Sequence, residues 1–168
     1  MRFVHAMIIA FVLLQFLSSY LMDAVDAKAS FTAWYHMWAG TTLCFLTVLQ
    51  CLLSLKTRGP RHFYPYLWGD VEQLKKDVRE TLRFKLVPPR PKGLGAVVQG
   101  LGLGALALTA FSGLLWFCLW QTGAAGEADA RSIHDAVSIL IILYFLGHGG
   151  MASLHFILWE ETSKHVDG

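Results

Sequence analysis

Residues 133–159 read IHDAVSILIILYFLGHGGMASLHFILW, and this stretch decides the architecture. It is apolar and long enough to cross a bilayer, whose hydrocarbon core of about 30 Å needs around 20 residues of helix. Yet it carries three histidines, His134, His148 and His155, at spacings of fourteen and seven residues. At about 100° per residue, fourteen helical steps return to within roughly 40° of the starting direction, and seven more to within about 20°. The three imidazoles therefore share one stripe. His134 and His148 are roughly 21 Å apart along the axis, which puts one near each end of the hydrocarbon. Histidine inside a membrane span is costly and rare, and it marks a functional site by default.

Three further runs are long enough to span, at about residues 3–22, 31–55 and 94–120. The first exceeds the apolar length of about 7–15 residues usual in a secretory signal, so a retained span is expected despite a cleavage-like Val25-Asp26-Ala27. A chain of 168 residues that is 55% hydrophobic has room for one bundle and one substantial loop, residues 56–93. The expected fold is an all-α membrane protein, a four-transmembrane-helix bundle forming a single domain over residues 1–168. Ten of the fourteen Lys and Arg fall between positions 56 and 92, and Arg2 and Lys164 lie near the two termini. Only Lys28 and Arg131 occupy the other two loops. The positive-inside rule then makes both termini and the long loop cytoplasmic. That placement explains the basic cluster without nucleic-acid binding. Cys44, Cys51 and Cys118 all lie in spans with no CxxC or CxxCH, and read as core thiols.

The loops have their own signals. Phe31, Trp34, Tyr35 and Trp38 open the second span at the depth that aromatic rings favour. Gly59-Pro60 begins the long loop, and Asp70 with Gln73 matches a capping box for a helix. Val71, Leu74, Val78, Leu82 and Leu86 repeat at helical spacing, with Lys75, Lys76, Arg79 and Arg83 mainly off that stripe. An amphipathic helix on the membrane surface or against the bundle is predicted, ended by Pro88-Pro89-Arg90-Pro91. Gly95, Gly100, Gly102 and Gly104 crowd the start of the third span. They allow close helix contact or clearance for a flat cofactor, and the two are compatible. Short outer loops are expected at residues 22–30 and 123–131, and a brief polar tail from Glu160.

Seven histidines are present, and His62 and His165 fall in polar stretches. Counted from the outer helix ends, His36 and His134 both lie near the outer face. His5 is roughly 27 Å and His148 roughly 23 Å from that face. Four histidines thus make two level pairs, His36 with His134 and His5 with His148. Two bis-histidine haems explain this directly, since neutral imidazole binds haem iron well. Gly147, Gly149 and Gly150 around His148, and Gly40 one turn past His36, keep side chains away from a macrocycle. The competing readings are histidines bonded to carbonyls at helix contacts, a proton relay with Asp135 as the nearby acid, and His/Met ligation through Met7, Met37 or Met151. A zinc site lacks companion carboxylates or thiolates at either level.

The chain resembles the bacterial di-haem cytochrome b subunits of nickel–iron hydrogenases and formate dehydrogenases. The resemblance rests on Arg2-Phe3-Val4-His5, on His36-Met37-Trp38-Ala39-Gly40, on VRETLRFKLVPPRP before the third span, and on His134 with His148 fourteen residues on. It implies two haem b groups and a partner on the outer side, an iron–sulfur or catalytic subunit of a hydrogenase or dehydrogenase. It further implies electron transfer from outer to inner haem and on to the quinone pool of the bacterial inner membrane. By position, His36 and His134 would take the outer haem and His5 and His148 the inner. His155, Gln99 and Arg2 are candidates for quinone or propionate contacts. No catalytic residue is assigned, since the chain would serve as the electron-transfer subunit of an oxidoreductase complex. A second four-helix di-haem family, the superoxide-oxidising quinone reductases, is similar in length and ligand spacing. The long middle loop and the acidic outer loops here (Asp23, Asp26, Glu127, Asp129) favour the subunit reading. A cofactor-free membrane assembly protein is the non-redox alternative.

Overall fold

Apolar runs of the expected length fold as helices because a bilayer leaves the backbone no partner but itself. The structure, a computed structural model, describes residues 2–22, 30–85 and 87–166, with side chains in the last helix described through residue 154 and for Phe156. The expected outer loop with Asp23, Asp26 and Lys28 therefore falls largely outside the described residues. All regular elements among the described residues are helical: α1 (Arg2–Leu21), α2 (Phe31–Arg58), α3 (Pro60–Phe63), a 3-10 turn (Pro65–Trp68), α4 (Glu72–Leu82), α5 (Leu94–Thr122) and α6 (Glu127–Val166). Four of them, α1, α2, α5 and the Glu127–Leu154 part of α6, are long and apolar enough to cross a membrane.

The last helix differs from expectation at both ends. It starts at Glu127, six residues before the predicted position 133. The turn into it closes at Gly123 and Gly126, whose φ of 61° and 91° suit glycine. Glu127 and Asp129 then occupy the first turn, where carboxylates oppose the helix dipole. The charges that suggested a loop are helix-starting charges. The expected polar tail from Glu160 is helical to Val166.

The chain divides into two compact units, one of Met1–Thr57 with Leu103–Ile139 and the other of Arg58–Gly102 with Leu140–Gly168. In the first, α1 and α2 run antiparallel, with Gln15 beside Gly40 and Ser18 beside His36. Its core at one end is aromatic: Met37, Trp116, Phe117 and Ala130 are buried, with Trp34 and Trp120 packed on them. Trp34 meets Phe117 and Trp120 edge-on at 6.3 and 5.2 Å. Trp34 thus turns inward, whereas Phe31 and Tyr35 stack on each other at the exposed side. Cys44 is buried, Cys51 half-buried and Cys118 exposed, all as free thiols.

In the second unit the glycines of α5 acquire particular neighbours. A Cβ at Gly100 would stand 2.8 Å from Phe63 Cβ, and the Tyr64 hydroxyl donates to the Gly100 carbonyl at 2.9 Å. A Cβ at Gly102 would collide with the Tyr144 ring. Gly100 thus makes room for the long loop, and Gly102 for α6. The loop helix forms as expected, but by other means. Val71 is its N-cap residue, and no side chain caps it. Asp70 instead holds Lys92 at 2.6 Å, and Gln73 donates to Asp77 at 2.6 Å. The helix also stops at Leu82, ahead of the proline run, because Phe84 adopts a left-handed φ of 57°.

Candidate functional site

His36 on α2 and His134 on α6 come together in the first unit, with ring centroids 6.4 Å apart and ring planes at 71°. Both rings are half-buried. Each is held from a neighbouring helix by its Nδ1. Ser18 Oγ lies 2.9 Å from His36 Nδ1, and Ser112 Oγ lies 3.1 Å from His134 Nδ1. The direction of these bonds follows from the serine protons. Ser18 donates its hydroxyl to the Gln15 carbonyl at 3.1 Å, and Ser112 donates to the Thr109 carbonyl at 3.0 Å. With its proton on that carbonyl, each serine oxygen can accept a hydrogen from the Nδ1 beside it. His134 Nδ1 also reaches the Thr109 carbonyl at 3.1 Å, an acceptor that demands a donor. These contacts suit the tautomer whose Nε2 bears the lone pair, the form that binds a metal, and for His134 the Thr109 carbonyl requires it.

The backbone is anchored as well. Gln15 donates from Nε2 to the His36 carbonyl at 3.0 Å, and Thr109 Oγ1 donates to the Val137 carbonyl at 3.3 Å. Trp116 stacks on His134 at 6.0 Å and 25°. Its indole N–H donates to Glu127 at 2.9 Å, and the Arg131 guanidinium lies 5.5 Å above it. Gly113 completes the seat, because a Cβ there would stand 2.8 Å from His134 Cε1. Ser18, Ser112, Gly113 and Trp116 were not read as site residues in the sequence. The faint signal was polar or missing side chains within apolar spans, in SSY and TAFSGLLW.

The spacing of this pair has a chemical meaning. Metal–imidazole bonds run about 2.0–2.1 Å, and a ring centroid lies on the order of 1 Å behind its ligating nitrogen, so two rings trans on one iron have centroids about 6 Å apart. The donor set and the ring separation therefore fit two imidazoles that would hold one haem iron.

The other predicted residues are placed as follows. His5 is exposed in the first turns of α1, within the first unit. His148 is half-buried in the second unit and stacks on Tyr144, one turn earlier, at 5.0 Å and 11°. Gly147, Gly149 and Gly150 beside it have no heavy atom within 4 Å of where a Cβ would stand. Arg2 is exposed. Gln99 accepts from Arg58 at 3.0 Å. The side chain of His155 lies outside those described. Gln50, on the buried face of α2, donates to Ser54 at 3.3 Å, while its Oε1 has no partner among the described residues. The antiparallel register of α1 and α2, continued along both helices, brings Gln50 level with the first turns of α1. Outside the spans, burial and then the Arg58 guanidinium lower the pKa of His62 below its ordinary value.

Paired histidines between membrane-spanning helices are a donor set that suits a membrane cytochrome. The sequence matches the prokaryotic cytochrome b561 family over residues 1–165, and the chain belongs to that family, the bacterial membrane cytochromes b of the hydrogenase type. It is a multi-pass protein of the bacterial inner membrane and a haem b electron-transfer cytochrome. Searches of curated proteins and of solved structures each returned no match.

Proposed function

We propose that this chain is a di-haem membrane subunit that carries electrons between a redox partner on the outer side and the quinone pool. His36 and His134 would hold the iron of the outer haem b. The observation that carries this is the pair of rings 6.4 Å apart with both Nδ1 atoms engaged. His5 and His148 are the ligands of the inner haem, a reading supported by their matched depth in the sequence. The bare glycine surround of His148 supports it too. Haem held by two histidines would supply a one-electron iron couple, chemistry suited to electron transfer.

The chain's own residues do the rest. Ser18 and Ser112 keep the Nδ1 protons in place. Trp34, Trp116, Phe117 and Trp120 exclude water above the pair and lower the local dielectric. Arg2, Gln99 and His155 are proposed to meet quinone or propionate near the inner level. The partner is an iron–sulfur or catalytic subunit of a hydrogenase or dehydrogenase, in keeping with the hydrogenase-type family. The basic loop of residues 56–93 and both termini face the cytoplasm, by the charge asymmetry of the sequence.

The test is a reduced-minus-oxidised spectrum of His36→Ala and His134→Ala, with haem counted per chain. Each change is expected to remove one haem and keep the other. Retention of both haems in either variant refutes the pairing. Co-purification of an iron–sulfur protein supports the subunit role, and superoxide-driven quinone reduction by the isolated chain refutes it.

A further inference from the structure

We propose that α4 and the turn that follows it form a binding surface for anionic lipid, at the membrane face where α5 begins. The inference depends on α5 as a span and not on which histidines hold haem.

The roll of α4 is set by a carboxylate. Asp77 is 1% exposed, accepts the Leu94 backbone N–H at 2.9 Å and accepts from Gln73 at 2.6 Å. It thereby closes an unpaired donor at the start of α5, where the helix dipole also favours negative charge. A few residues away, Lys92 meets Asp70 at 2.6 Å. The helix is therefore docked by a polar side, and its apolar stripe is turned elsewhere. Val78 and Leu82 lie roughly 100–140° around the helix from Asp77. Leu82 is 76% exposed and Phe84 99% exposed.

Phe84 adds an independent observation. It sits at φ 57°, a left-handed conformation that glycine adopts freely and a side chain does not. Its N–H bonds the Thr81 carbonyl at 2.9 Å, closing the helix end. A bulky aromatic at a glycine-type position, with almost none of its surface covered by protein, gains nothing from the fold. Insertion into an apolar phase gives it a role.

Charge selects the occupant. Lys75 and Arg79 border the apolar stripe on the side away from Asp77, with Lys76 and Arg83 beyond them, and all four are exposed. An apolar stripe edged by cations suits a leaflet with lipid phosphates above and acyl chains below. The long stems of Lys and Arg lie along the apolar boundary while their heads reach the phosphates. A protein partner would have to match the same pattern at the end of a membrane-crossing helix, where lipid already lies.

The experiment uses the full chain with haem, in nanodiscs of phosphatidylcholine with or without phosphatidylglycerol. A spin label is placed by Phe84→Cys, in a background with Cys44, Cys51 and Cys118 changed to Ala, and a second by Leu82→Cys. A reference label comes from Lys76→Cys. The haem spectrum reports that each variant has assembled, separately from the lipid readout. Labels at 82 and 84 are expected to be reached by oxygen and shielded several-fold from an aqueous nickel chelate, relative to the label at 76. Shielding is expected to fall when phosphatidylglycerol is omitted, or on Lys75→Gln with Arg79→Gln. Nickel access at 82 and 84 equal to that at 76 overturns the proposal and leaves the face to solvent or a protein. Shielding that ignores phosphatidylglycerol overturns the anionic preference.

Discussion

Ser18→Ala tests the tautomer lock on the outer pair most directly. Ser18 is 4% exposed, and its oxygen lies 2.9 Å from His36 Nδ1, where it would accept the Nδ1–H of a ring that binds iron through Nε2. Alanine removes the acceptor and leaves a buried N–H without a partner. A neutral hydrogen bond is worth about 1 kcal/mol net, and loss of such outer-shell partners typically lowers metal affinity about 10–100-fold. The bond also makes the imidazole a stronger donor, which favours ferric iron. If the whole of about 1 kcal/mol falls on the ferric form, the midpoint potential rises by about 40 mV, given about 59 mV per tenfold for one electron. Ser112→Ala is expected to shift it by much less, because His134 Nδ1 keeps the Thr109 carbonyl at 3.1 Å. Redox potentiometry of purified membranes, with haem counted per chain, reads both effects. A larger shift in Ser112→Ala than in Ser18→Ala, or a fall in potential in Ser18→Ala, refutes the reasoning.

Three further outcomes are expected. Gly113→Ala places a Cβ 2.8 Å from His134 Cε1 and is expected to deplete one haem. Gly104→Ala, with nothing within 4 Å, is its silent control in the same spectra. Asp77→Ala leaves the Leu94 N–H unpaired at a loss of about 1–3 kcal/mol, and is expected to speed proteolysis within residues 56–93 while the haem spectrum stays unchanged. His62 is expected to titrate below 6.5, since burial first and Arg58 second disfavour its charged form. Between its folded pKa and 6.5 the unfolded chain binds the extra proton, so this histidine adds stability as pH rises through that window. A resonance midpoint above 6.5 for His62 contradicts that account.

Much of the architecture was legible because its causes are local. A run of apolar residues long enough for a bilayer must be helical wherever it packs, so α1, α2 and α5 begin within a residue of their predicted starts. The outer pair was legible for a related reason. Helical rise converts sequence spacing into depth, and His36 and His134 were level before any contact was known. Local rules misled where a distant residue competed. Asp70 followed by Gln73 satisfied the capping-box pattern, yet Lys92 claimed Asp70 and Asp77 claimed Gln73. Glu127 and Asp129 looked like loop charges, yet they begin α6.

The sequence by itself determined four spans, a basic loop with its helix, and the level of His36 with His134, since hydropathy and periodicity are properties of single segments. Only the tertiary structure decided how those histidines are held. Ser18 on α1 faces a ring from α2, and Ser112 and Gly113 on α5 face a ring from α6. No spacing within one helix encodes which side chain of another helix lies against it. The partner of each Nδ1, and with it the tautomer that frees Nε2, therefore depends on packing between helices.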